Sequence, residues 1–157
     1  MTTMQPSGHP ASEQQRQNEL MQQIGEALLD AAPDGWRRID LVVKMNVAVQ
    51  DLALTVYLAD GSTPEVVPAG DLTRAFAELR QLLHQPGRGT WFSARLSMNP
   101  PGSLNVSYNL DHDPKWFPPI PASYWVRDLE VFPRDEGFIP DWLREKIEEA
   151  RHEEQNA

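Results

Sequence analysis

The 157-residue chain contains no cysteine. That absence removes disulfides, zinc-thiolate sites and cysteine nucleophiles from consideration, and it fits a reducing compartment. No apolar run approaches the length needed to span a membrane. The opening MTTMQPSGHPASEQQRQNE has neither a basic run nor an apolar core, so it does not read as a secretory signal, and a soluble, cytoplasmic protein is expected. Positive charge is also scarce: 14 basic residues stand against 23 acidic ones, a formal charge of −9. A surface of that sign repels nucleic acid, which needs Lys and Arg to displace counterions from its phosphates. It favours encounter with a basic protein instead. No internal repeat is visible.

What is present has the order of a single α+β domain. A chain of this length can bury roughly two-thirds of its unfolded surface without a staple. Residues 1–14, with Pro6, Gly8 and Pro10 and no apolar period, are expected to be a disordered tail ahead of a domain over 15–153. Leu20, Ile24 and Leu28 repeat at four and predict a helix near 13–31, closed by Pro33-Asp34-Gly35. Ile39, Leu41, Val43 and Met45 share one face opposite Arg38, Asp40, Val42 and Lys44, and Leu52, Leu54, Val56 and Leu58 share one opposite Ala53, Thr55 and Tyr57. That is the two-residue period of half-buried strands, and the short connection between them predicts an antiparallel hairpin. Ser62 to Val67 is a candidate third, shorter strand, placed at an edge by Pro64.

Asp71 is a candidate N-cap for a helix near 71–84, whose stripe is Leu72, Phe76, Leu79 and Leu83. Phe92, Ala94, Leu96 and Met98 form the next strand, and Asn99-Pro100-Pro101-Gly102 turns it into Leu104, Val106, Tyr108 and Leu110. Pro140-Asp141 opens a last helix near 140–152, and the polar end EEARHEEQNA is expected to fray. The expected fold is therefore an antiparallel sheet of four to five strands packed against helices.

The densest cluster of acidic and aromatic residues follows the last strand, in DHDPKWFPPIPASYW. Asp111, His112 and Asp113 are the one group resembling a metal or acid-base cluster. Three consecutive side chains point in different directions, however, and Asp113-Pro114 is an ordinary turn start. Gly87-Arg88-Gly89 lacks the strand-to-helix context of a phosphate loop. His84 is explained by a helix C-terminus. No histidine is matched with a nucleophile, so neither catalysis nor a metal or other cofactor is expected.

The segment ELMQQIGEALLDAAPDGWRRIDLVVKM, then two strands, a helix, WFSARLSMNPPGSLNVSYNLDHDP and an aromatic SYW, resembles the YezG-like immunity-protein family. The helix pattern (I/L)xxALxxxxPxxWxxI is met by Ile24, Ala27, Leu28, Pro33, Trp36 and Ile39. The later strand and acidic segment are met by Val106, Tyr108, Asp111 and Asp113, and the following tryptophan by Trp125. The similarity covers roughly residues 18–127; Leu110 stands where the family has a second tyrosine, and Trp116 to Pro121 is richer in proline.

The resemblance implies an immunity protein, or antitoxin, that binds the C-terminal catalytic domain of a polymorphic toxin, often one delivered by type VII secretion. Such toxins include nucleases and NAD-degrading enzymes. It implies a protein partner, the cognate toxin domain, and no nucleic acid, membrane or small-molecule substrate. The expected contact residues are Asp111, Asp113, Trp116, Phe117 and Tyr124. Aromatic side chains there would supply buried area and the carboxylates would steer a basic active-site mouth. For each aromatic the competing expectation is closure of the core. The rival of another class is an acidic secretion chaperone, which would offer apolar grooves to an unfolded segment.

Overall fold

Alternation along four segments of the chain produces four strands, and their apolar faces meet in one layer. The computed structural model describes residues 10–67 and 71–156. Its elements are α1 (Pro10–Ala31), β1 (Trp36–Met45), β2 (Gln50–Leu58), α2 (Asp71–Leu82), β3 (Ser93–Asn99), β4 (Ser103–Asn109), α3 (Ala122–Val131), a single 3-10 turn (Glu136–Phe138) and α4 (Asp141–Gln155). All strand pairings are antiparallel, in the spatial order β2-β1-β3-β4. The α+β class and the antiparallel sheet expected from the sequence are both present, with four strands.

Register explains the main core. Leu41 is opposite Leu54 on β2 and opposite Leu96 on β3, and Leu96 is opposite Val106 on β4. These residues share one face of the pleat. Leu20, Ile24 and Leu28 of α1 and Leu72, Phe76 and Leu79 of α2 cover that face, all buried with Ile39, Leu41, Val43 and Leu96. The helix stripes repeat at three and four because those positions line one side of a 3.6-residue turn.

Turns close where the backbone chemistry allows. Gly35 and Gly61 both have φ near +80°, the left-handed region that side chains resist. In the β1–β2 connection the amide of Asn46 donates to the Val49 carbonyl at 2.8 Å, and the Asn46 side-chain oxygen accepts from the Ala48 amide at 2.9 Å. Asp60 accepts from both the amide and the hydroxyl of Ser62, which hold its carboxyl below the usual range.

Several expectations are corrected. Helix α1 starts at Pro10, so residues 10–14 belong to it; residues 1–9 of the expected tail lie outside the described residues. Ser62 to Val67 forms no strand, which leaves β2 as an edge. Pro64 has no N–H to give a ladder there. The capping role expected of Asp71 falls on a side chain outside the described residues. Helix α2 ends at Leu82, two residues early. The end expected to fray continues as α4 to Gln155. Finally, α3 is a helix additional to the three expected from the sequence.

Helices α3 and α4 build a second, smaller core. Phe92, Trp125 and Leu143 are buried there, with Trp116, Ile120, Leu129 and Trp142 packed against them. Phe92, Trp125 and Trp142 meet pairwise edge to face, with ring centroids 5.0–5.6 Å apart. Phe92 therefore serves the second core, while Ala94, Leu96 and Met98 of the same alternating run serve the first.

Candidate interaction surface

The loop leaving β4 is held by its own polar side chains. The Asn109 side chain donates to the His112 carbonyl at 2.8 Å and accepts from the His112 amide at 2.9 Å. Asp113 accepts from the Lys115 amide at 2.9 Å, and Lys115 adopts φ +58°. Such local bonds are the ordinary reason Asn and Asp occupy turns. The Trp142 indole donates to the Asp111 carbonyl at 2.8 Å, and Lys44 of β1 donates to the Lys115 carbonyl at 2.7 Å. A loop with four prolines between 114 and 121 is thereby fastened to the sheet and to α4.

Beneath the loop lies Arg134, a buried cation. Its guanidinium donates to the carbonyls of Leu110 at 2.5 Å, Phe138 at 3.0 Å and Thr90 at 3.1 Å, and sits 4.6 Å over the Phe92 ring. Burial pulls its pKa down, and nearby Asp111, whose oxygen is 3.5 Å away, opposes that shift. Gly89 must be glycine here: its φ is +80°, and a Cβ would stand 2.6 Å from Nε of Arg134.

The five residues expected to contact a partner separate into different environments. Phe117 is 87% exposed and Asp111 keeps 62% of its side chain in solvent. Trp116 turns inward, half-buried against the second core. Asp113, Trp116 and Phe117 line one depression of about 190 Å³ together with Ile120, Trp125 and Lys146. Asp111 and Tyr124 do not line it. Tyr124 is on α3, half-buried, with the Arg127 guanidinium 5.7 Å from its ring centroid.

The main residues that reading the sequence missed are those fixing α3. Arg80 of α2 donates to both oxygens of Asp128, at 2.6 and 2.7 Å, and to the Trp91 carbonyl at 2.7 Å. Asp128 also accepts from the Val47 amide at 2.8 Å, and Thr90 donates its hydroxyl to the Arg80 carbonyl at 2.6 Å. One signal existed: Arg80 continues the spacing of Leu72 and Phe76 on the apolar stripe, so a cation there needs a buried partner. Nothing local marked Asp128 as that partner.

The opposite face of the sheet carries no helix of the main core and is polar. Arg38, Tyr57, Arg95, Asn105 and Ser107 are exposed on it. Among the described residues no three His, Asp or Glu side chains gather as a metal site, and no helix is long and apolar enough to cross a membrane. Comparison with protein-family models and with curated proteins gives no match.

Proposed function

We propose that this protein is an immunity protein that binds the catalytic domain of a cognate secreted toxin and neutralises it by stoichiometric occlusion. The carrying observation is Phe117, a phenylalanine 87% exposed in a loop held by hydrogen bonds at Asp111 and Lys115 and by the packing of Trp116 and Ile120 against the second core. A large apolar side chain held in water on a fastened loop loses little conformational freedom when a partner covers it. The carboxylates of Asp111 and Asp113 beside it suit a basic active-site mouth and act through encounter rate. The resemblance of residues 18–127 to YezG-like immunity proteins supports the same reading, and it makes nuclease and NAD-degrading domains the toxin classes to try. An unfolded-segment chaperone has less support. Among the described residues the exposed large hydrophobic side chains Leu29, Val47, Tyr57, Val67, Phe117, Val131 and Phe138 are spread along the chain, and no two of them line the same depression.

The test is co-expression with the toxin-like C-terminal domain encoded beside this gene. Wild type should co-purify with that domain and restore growth. Phe117→Ala should keep the melting temperature and lose neutralisation, since truncating a hot-spot aromatic costs about 2 kcal/mol or more of binding. Trp116→Ala should instead lower the melting temperature, because it empties part of the second core. No complex with the wild-type chain, or full neutralisation by Phe117→Ala together with Asp111→Asn/Asp113→Asn, defeats the proposal.

A further inference from the structure

The longest stretch of this acidic chain without a charged residue runs from Leu96 to Leu110, and it holds the end of β3, the turn and all of β4. Strand β4 is the last of the sheet. It pairs with β3 on one side only, in a register without a shift. Among the described residues no backbone group from Leu104 to Tyr108 bonds to anything outside that ladder. Alternate N–H and C=O groups of an edge strand point away from its neighbour and are open to another strand. The usual protections, a proline, a charged side chain or a bulge, are missing from Ser103–Asn109. The opposite edge differs: β2 carries Asp51, its register with β1 shifts between Trp36 and Arg38, and its Leu58 amide already donates to the Ser62 carbonyl at 2.9 Å.

The main core is also open on this side. Ala94, Leu96 and Met98 of β3 are buried, whereas Tyr108, Val106 and Leu104 opposite them stay partly exposed. A Cβ on Gly25 would stand 3.6 Å from Met98, and one on Gly102 would stand 3.6 Å from Leu29, so α1 passes over the β3–β4 hairpin. The helical row on that flank of α1, Gln14, Asn18, Met21, Gly25 and Leu29, has no charge, and Leu29 is 38% exposed. Arg16, Glu26 and Asp30 line the depression on the α2 side instead.

We propose that β4 pairs antiparallel with β4 of a second copy of this chain, across a two-fold axis at Val106, joining two four-stranded sheets into one continuous sheet. The strand is its own complement in that register. Val106 meets Val106, Leu104 meets Tyr108 and Asn105 meets Ser107, so apolar side chains face apolar ones on the core side and polar face polar on the other. Shifting the register by one residue would set Val106 against Asn105 or Ser107. Charge selects a second copy as the occupant. Two chains of −9 repel wherever their carboxylates meet, and this border brings none. The two-fold also closes the assembly, because it consumes the β4 edge of both copies. A foreign strand would need neither the symmetric pattern nor the uncharged flank of α1. The inference does not rest on the toxin reading, since Asp113 and Phe117 lie beyond the paired strands; a monomer that neutralises a toxin would overturn this inference alone.

The experiment is sedimentation equilibrium of the full chain over a range of concentrations, with the melting temperature measured alongside. Wild type should approach twice the 17.8 kDa chain mass as concentration rises, and its melting temperature should rise with it. Asn105 and Ser107 are exposed on the face away from the main core, so charges there leave the fold of one chain intact. Asn105→Lys/Ser107→Lys sets lysine against lysine on both sides of the axis and should return the mass to one chain, although it makes the chain less acidic. Asn105→Lys/Ser107→Glu sets opposite charges against each other and should keep the dimer. A one-chain mass at every concentration overturns the proposal. So does a dimer that the lysine pair leaves intact, one that both double variants abolish alike, or an open-ended series of larger species.

Discussion

The Arg80 guanidinium and the Asp128 carboxylate meet through two parallel hydrogen bonds of 2.6 and 2.7 Å, with both side chains 3% exposed. They lie 48 residues apart and join α2, beneath the sheet, to α3 of the second core. Arg80 Nε also donates to the Trp91 carbonyl, and Asp128 also accepts from the Val47 amide. A buried pair tied in by these further bonds fixes where the C-terminal helices dock.

Removing one member leaves the other charged and buried. Arg80→Met and Asp128→Asn are each expected to lose about 3–5 kcal/mol, measured by chemical denaturation. The double variant Arg80→Met/Asp128→Leu should recover much of that loss, since no uncompensated charge remains. Single variants as stable as wild type would show that the pair does not anchor α3.

Core position decides the response to a charge in the sheet. Leu41 is wholly buried on β1, between β2 and β3, whereas Leu54 is half-buried on the edge strand β2. Leu41→Asp should prevent folding, because an unpaired buried carboxylate costs several kcal/mol against a total stability of about 5–15 kcal/mol. Leu54→Asp should fold with a lowered melting temperature, since its carboxylate reaches water at the sheet edge. Equal melting temperatures for the two would contradict the strand order.

Acid should loosen the contact between α1 and α2. Glu78 is held below its ordinary 4.5 first by its hydrogen bond to Arg16, against a smaller opposing effect of burial. A carboxyl with a depressed folded-state pKa adds stability above its unfolded value and loses it as pH falls through the folded value. The melting-temperature difference between wild type and Glu78→Gln should thus be largest near neutral pH and vanish below the carboxylate range. Both side chains are partly exposed, at 39% and 41%, so the effect should be small and should fade in high salt. A difference that grows on acidification would reverse the assignment.

By itself the sequence determined the four strands, helices α1, α2 and α4, the two hairpins and the glycine turns. Each depends on neighbours within a few residues: alternation for Leu104 to Leu110, a four-residue repeat for Leu20 to Leu28, a glycine with left-handed φ at Gly35 closing the helix. It also marked Asp111 to Phe117 as unusual in composition. Tertiary structure decided that Trp116 turns toward Phe92 and Trp125 while adjacent Phe117 stays in water, because only the placement of α3 and α4 creates a core on one side of that loop. It decided that Asp128 is buried, because the partner that makes burial tolerable lies on α2. It placed β1 beside β3, and so left β4 at an edge of the sheet. Periodicity reports which face of an element is apolar; which elements then share that face depends on long-range packing that no local window contains.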